Sequence, residues 1–242
     1  MRLSGENPET SVWISTTDLM SGLLVIFLFL SILMTQETDK AKEKLEIAQN
    51  KIHTVTNQAN LAEENIKEAI NKNFNYYDRS KYALNEDGLA SARFPDASGT
   101  FNEGSYVLTE KFKDELNYFL PRYLKAISES DPKYVKEIRI EGHASSEWNS
   151  VVPITKEEAY TKNMELSQQR TLSILLYALK RPELAPYRQL MQDKMRAVGY
   201  SSSNVIYNSD GYEDRVASRR IEFRVIANDA ATLEDIKNAL KQ

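Results

Sequence analysis

Between Leu19 and Gln36 the chain carries no charged residue, and from Leu23 to Met34 every position but Ser31 is apolar. As a helix, Trp13 to Met34 would rise about 33 Å, enough to cross a hydrocarbon core of ~30 Å. Trp13 suits the interfacial belt at one end of such a span. A cleaved signal peptide would call for a basic leading region and a small-residue cleavage site. Here Arg2 is offset by Glu6 and Glu9, and residues 31–36 (SILMTQ) make a poor cleavage site. The stretch is read as a single membrane anchor over residues 13–36, preceded by a short polar tail over 1–12.

Composition narrows what the remainder can do. The 242 residues hold 31 Lys and Arg against 35 Asp and Glu, and no Cys. The missing cysteines exclude a disulfide scaffold, thiolate metal ligation and a cysteine nucleophile. A net charge of −4 gives no electrostatic case for nucleic-acid binding, which needs clustered positive charge. No Ser or Cys nucleophile constellation accompanies His143, so it is read as structural and not catalytic; the expectation is a chain that is not an enzyme and has no metal site and no cofactor.

After the span, residues 37–74 turn rich in Glu, Lys, Asn, Gln and Ala, with no Gly or Pro, a helix-permissive mixture. Leu45, Ala48, Ile52, Val55, Ala59, Ala62, Ile66 and Ala69 recur at alternating steps of three and four, the spacing of a coiled-coil seam. Its small residues at 48, 62 and 69 would bury little area, so the coil would be weak alone. The seam points to self-association as a parallel dimer. The other reading of the same stripe is one amphipathic helix lying on the folded domain.

Residues 75–228 have the pattern of a globular domain, followed by a helical tail over 229–242. Strand-type runs lie at Tyr106–Thr109, Glu137–Glu141 and Arg220–Ile226. Helical patterns cover Glu110–Ser128, Lys156–Leu179 and the region near Pro186–Met195. Strands alternating with helices predict an α/β architecture, a two-layer β/α sandwich behind the membrane helix and the coiled-coil helix.

Asp18 is the one acid within the span. A carboxylate in hydrocarbon costs roughly 2.5–3.5 kcal/mol on insertion scales, less if it protonates, since desolvation favours the neutral acid. A group that is neutral when buried and charged when wet can carry an ion across. Alternatively Thr16, Thr17 and Asp18 form an N-cap cluster. Ser21, Gly22 and Val25 share the face of Asp18, a small surface on which another helix can pack closely. Carrying the heptad backwards puts Thr17, Met20, Leu24, Phe27, Ser31 and Met34 on the seam and Asp18 beside it, toward a different partner.

Residues 13–30 (WISTTDLMSGLLVIFLFL) resemble the span of MotB-type stator subunits, in which a Trp precedes an Asp, a Met and small residues. The resemblance implies that Asp18 is the ion-carrying carboxylate. It also implies that a MotA-like multi-span subunit, five per dimer, completes the channel. Residues 90–227 resemble the OmpA-like peptidoglycan-binding domain through IRIEGH (138–143), NMELSQQR (163–170), VGY (198–200) and SRRIEFRV (218–225). That likeness implies a pocket for the diaminopimelate-bearing wall peptide that includes Asn163, Leu166, Ser167, Arg170 and Arg219. Arg170 and Arg219 suit a carboxylate because guanidinium offers paired donors; intramolecular salt bridging is the alternative for each. Where that family carries an Asp two residues after the His, this chain has Ser145, with Glu147 as a possible substitute.

The long coil and the non-basic tail make the chain similar to the MotB-like subunit of Zorya anti-phage defence systems. The expectation is an ion-driven stator subunit of the inner membrane, its N-terminus cytoplasmic and its wall-binding domain periplasmic. Positive-inside counting by itself, with Arg2 before the span and Lys40, Lys42 and Lys44 after it, favours the opposite orientation. A flagellar stator and a passive membrane-to-wall tether are the alternatives. A TolR/ExbD-type coupler also has one Asp-bearing span but lacks so long a wall domain.

Overall fold

The computed structural model describes residues 8–96, 99–148 and 153–241, with side chains from Thr17 onward. The expected interfacial role of Trp13 and the first seven residues of the expected tail therefore lie outside what it describes. The chain divides into two compact units. One comprises the described residues up to Thr54 with those after Asn238; the other is Val55–Asn238.

Helix α1 runs from Pro8 to Asn73. Residues 8–12 of the polar tail are therefore helical. Its apolar portion makes it the one described helix long and apolar enough to cross a membrane. From Leu19 to Met34 the exposure of the large apolar side chains ranges from 43% at Leu33 to 75% at Phe27. Leu45 and Ile52, on the predicted seam, are exposed too.

In the second unit the same stripe meets a different fate. Val55, Ala62, Ile66, Ile70 and Phe74 are buried, and the last three join the domain's hydrophobic core. From Val55 onward, then, the stripe is an amphipathic helix face seated on the domain. The alternation of large and small residues that resembles a coiled-coil seam serves equally to fit a helix against a core.

Helix α2 (Tyr76–Lys81), capped by Asn75, leads into strand β1 (Ala92–Pro95). Helix α3 (Glu110–Ser128) starts where the Thr109 side chain accepts the Phe112 N–H, and it buries one apolar face. Strand β2 (Val135–His143) follows. Helix α4 (Lys156–Lys180) opens on a capping box between Thr155 and Glu158, which satisfies two otherwise unpaired N–H groups. A 3-10 turn (Pro182–Tyr187) and α5 (Arg188–Lys194) precede strand β3 (Met195–Ser201). Short α6 (Arg215–Ser218), strand β4 (Arg220–Ala227) and α7 (Asp229–Lys241) complete the order.

The sheet is ordered β1-β4-β2-β3. Strand β4 is antiparallel to both of its neighbours, and β2 runs parallel to β3. This is the expected α/β two-layer arrangement, with three differences in its parts. Tyr106–Thr109 is not a strand and makes only an isolated bridge, Phe101 to Leu108. Strand β1, whose Pro95 weakens any strand signal, was not foreseen. Nor was the switch from α5 to strand at Met195.

Alternation separates the two sheet faces. Ile138 and Ile140 of β2 and Ile221, Phe223 and Val225 of β4 join the core. There an aromatic group gathers: Phe119 lies 4.9 Å from Tyr123, 5.0 Å from Phe94 and 5.2 Å from Phe223, centroid to centroid. Such pairs add roughly 0.5–1.5 kcal/mol each beyond the area they bury. On the other face, cross-strand neighbours are charged: Glu141 opposite Glu222, Arg139 opposite Arg224, and His143 opposite Arg220.

Helix α4 reaches the sheet through two glycines. A Cβ on Gly142 would lie 2.7 Å from the Ser167 carbonyl oxygen, and one on Gly199 2.7 Å from the Gln168 nitrogen. That close approach puts α4 beside the C-terminal ends of β2 and β3, where the candidate site opens.

Candidate functional site

Asn163, Leu166, Ser167 and Arg170 follow one another at steps of three, one and three, so they share one face of α4. That face, the loop after β2, the residues around Gly104 and the start of β4 enclose a cleft of about 590 Å³. The structure brings all five predicted wall-binding residues into this cleft: Asn163, Leu166, Ser167, Arg170 and Arg219. Sequence reasoning had not singled out Glu103, Trp148 or Arg215, which also line it. Glu103 and Trp148 stand on loops and Arg215 opens the four-residue α6, none with a periodic pattern, and the only usable signal was their nearness to the matched motifs.

The five do different work. The Asn163 amide donates to the carbonyl oxygens of Ser145 (3.1 Å) and Glu147 (3.2 Å), fixing the loop after β2. Ser167 Oγ donates to Met164 O and accepts the Ser201 N–H at 3.2 Å, stitching α4 to the end of β3. Arg170 Nε donates to Ser105 O (2.9 Å) and Nη2 to Asn102 O (3.3 Å). Its guanidinium lies 4.8 Å from the Phe101 ring centroid and 3.7 Å from Asp96. Arg170 therefore holds the 101–105 loop through two of its five donors. Burial pushes its pKa down, Asp96 opposes this, and the nearby charge of Arg219 adds to the lowering.

Arg219, half-buried in the same cleft, forms no ion pair among the described residues. The alternative of intramolecular bonding thus describes Arg170 and not Arg219. The Ser145 position is buried, and its hydroxyl faces Glu147 O at 3.5 Å. Glu147 reaches the cleft and pairs with Arg215 at 2.5 Å.

His143 is almost wholly buried. Its ring stacks on Tyr200 at 5.0 Å, and Nε2 lies 3.5 Å from Glu141 and 3.8 Å from Glu222. These three groups could in principle ligate a metal, with ligand atoms within 4.8 Å of one another. The carboxylates are already engaged, however. Glu222 accepts from Arg220 Nε (2.7 Å), Arg224 Nη2 (2.9 Å) and Arg93 Nε (3.2 Å). Three guanidiniums make the surroundings hostile to a cation, so the cluster is an ion network that ties β1, β2 and β4 together. Burial alone would raise the Glu222 carboxyl; the Arg220 hydrogen bond and charge, His143 and Arg224 outweigh it and hold it at about 2.

Asp18 lies ten residues inside α1. An N-cap stands at the helix boundary, so the capping alternative does not describe it. Its backbone carbonyl accepts from Ser21 Oγ at 2.8 Å, and a Cβ on Gly22 would meet no other atom within 4 Å.

No family model matches the chain. The Zorya protein ZorB of Escherichia coli (strain Crooks) is 33% identical over 227 residues, covering 94% of this chain and 92% of that protein. The chain belongs to the ZorB family. Among solved structures, a MotB-like protein from Desulfovibrio vulgaris matches at 14% identity and a TM-score of 0.41, over 69% of this chain and 96% of the other. The periplasmic domain of Helicobacter pylori MotB (residues 78–256) matches at 17% identity and a TM-score of 0.39, over 61% and 83%. The OmpA-like domain of FopA1 from Francisella tularensis matches at 13% and 0.35, over 57% and 75%. This ZorB-family chain thus joins one helix of membrane-crossing length to a mixed α/β sheet domain.

Proposed function

We propose that this ZorB-family chain is the ion-carrying, wall-anchored subunit of a membrane motor that serves anti-phage defence. Two copies lie parallel, paired along Leu45, Ala48 and Ile52. They cross the inner membrane once, with the N-terminus in the cytoplasm and the α/β domain in the periplasm. MotA-like multi-span subunits, five per dimer, surround the spans. Asp18 is protonated from one side and released to the other, and each elementary charge crossing 100 mV supplies ~2.3 kcal/mol. The domain grips peptidoglycan through the cleft, with Arg219 taking a wall-peptide carboxylate and Asn163, Leu166, Ser167 and Arg170 shaping the site. The grip lets the surrounding ring turn against a fixed point.

The observation that carries this reading is a single carboxylate, Asp18, ten residues inside α1, with no other charged residue from Thr10 through Gln36. Large apolar side chains left in water along a whole helix are unfavourable by roughly 1.5–3 kcal/mol each, so the surface needs lipid or partner helices. An acid within it that caps nothing needs another reason to be there.

The test is Asp18→Asn in cells that carry the whole defence system. Phage plating is expected to return to the undefended level while the protein still reaches the membrane and co-purifies with its multi-span partner. Full protection by the Asn variant removes the ion-carrying role and leaves a tether.

A further inference from the structure

On one side the sheet ends at β3, beyond which no described strand lies. An edge strand presents backbone groups that invite another strand. Here one side chain covers them. Gln168 of α4, itself exposed, donates from Nε2 to Ala197 O at 3.2 Å and accepts the Gly199 N–H on Oε1 at 2.8 Å. Its amide thus occupies the places that the peptide groups of a neighbouring strand would take. Gln168 is also the centre of a ridge at steps of four along α4: Tyr160, Met164, Gln168, Leu172 and Leu176. Of these, Tyr160, Leu172 and Leu176 are exposed and Met164 is half-buried.

We propose that the β3 edge and this ridge are the contact between the α/β domains of two copies of the chain, with Gln168 as the latch that opens it. The proposal rests on the parallel dimer above for the nearness of the second copy, which raises its effective concentration. The edge is self-complementary. About a two-fold axis at Val198, antiparallel pairing sets Ala197 against Gly199 of the second copy, so that Ala197 O accepts that Gly199 N–H and the two sheets become one. The same axis sets Arg196 against Tyr200 and Met195 against Ser201, with no like charges opposed. The helices agree with this register. Helix α4 straddles β2 and β3, since Gly142 and Gly199 both abut the backbone of Ser167 and Gln168. Its two copies would then lie two strand spacings apart, ~9.6 Å, within the range of about 8–10 Å at which helices pack. Sheet twist over two spacings is about −45°, close to the crossing of about −50° for ridges at steps of four. Across the axis Gln168 meets its counterpart, Met164 meets Leu172, and Tyr160 meets Leu176, so pairing covers apolar side chains that one copy leaves wet. Freeing the Gln168 side chain returns rotamer freedom and offsets part of the ordering cost.

The chain holds no cysteine, so single cysteines can report the contact in the full chain in detergent, oxidised with copper phenanthroline. Residues opposed at Val198 would lie about 4.5 Å apart between Cα atoms, within disulfide reach. Val198→Cys is expected to cross-link about tenfold faster than Ser128→Cys, a collision control at the exposed end of α3. Ile52→Cys reports the parallel dimer separately. Adding Leu172→Glu to Val198→Cys is expected to slow cross-linking about tenfold, because the contact would have to bury a charge, with the thermal unfolding of the domain unchanged. Adding Gln168→Ala is expected to speed it about threefold, since the edge groups then have no competing partner; an unchanged or slower rate overturns the latch. Cross-linking untouched by Leu172→Glu overturns the helix contact. If Val198→Cys reacts no faster than Ser128→Cys while Ile52→Cys cross-links, the edge pairing is overturned and the parallel dimer stands. If Ile52→Cys also fails, the parallel dimer falls with it.

Discussion

The two ends of α1 carry the same kind of residue to opposite outcomes. Before Thr54, Leu24 is 61% exposed and Leu45 59% exposed; after it, Ile66 and Ile70 are wholly buried. Both stretches belong to one helix, although the span is apolar all round and residues 55–73 are apolar along one stripe. The difference is that Phe74, Tyr82, Phe94 and Phe119 form a surface for Ile66 and Ile70 to meet, whereas no described residue covers Leu24 to that degree. An apolar stripe thus shows that a helix will be covered without showing by what: its own domain, a second copy, or lipid.

The comparison breaks most sharply at the boundary between the units. A fragment of residues 75–241 lacks Val55, Ile66, Ile70 and Phe74, each worth roughly 2–5 kcal/mol if truncated in a packed core, against a total stability of about 5–15 kcal/mol. That fragment is expected to be unfolded or molten by near-UV circular dichroism, while residues 55–241 unfold cooperatively. Cooperative unfolding of both fragments would make the lower part of α1 dispensable.

A smaller effect should come from the charged face of the sheet. Glu222 is held at about 2, below its ordinary 4.5. A depressed carboxyl stabilises the fold fully above the unfolded value and loses that contribution as pH falls from about 4.5 to about 2, because the unfolded chain takes up the proton first. The shift corresponds to about 3 kcal/mol. Urea unfolding of Glu222→Gln should show a loss of this order at pH 7 and a flatter acid limb than the unaltered protein. An unchanged acid limb would assign the acid sensitivity to other groups.

The smallest effect sharpens the comparison from the exposed side. Leu45→Ala should change the thermal unfolding of the α/β domain by less than about 0.5 kcal/mol, the usual range for exposed positions. The same substitution should weaken dimer formation in analytical ultracentrifugation of the detergent-solubilised chain. A large loss of domain stability would mean that Leu45 is covered by the domain.

Much of the fold was legible because its signals are local. A charge-free run reports on its own surroundings, and the steps of three and four through 45–69 report a helix. Thr155 with Glu158 marks the start of α4. Strands β1 and β3 were not legible from pattern: Ala92–Pro95 is four residues ending in Pro, and Met195 follows directly on a helical turn. Each becomes a strand by pairing, with β4 and β2 respectively. The cleft was legible through its motifs on α4 and before β4, but Glu103, Trp148 and Arg215 were not, since no periodicity marks a residue of a loop or of a single helical turn that faces a cavity.

By itself the sequence determined that one helix must find a nonpolar environment, that an acid sits within it, and that an α/β domain follows. These are consequences of side-chain chemistry and of spacing within a few turns. Only the tertiary structure decided that the stripe after Val55 belongs to the domain, that Arg170 holds a loop 65 residues away, and that Arg219 is left unpaired among the described residues. It also placed Arg93 on Glu222 across 129 residues. Pattern along a chain reports the face a residue shows, whereas its partner depends on which distant backbone folding brings within hydrogen-bond reach.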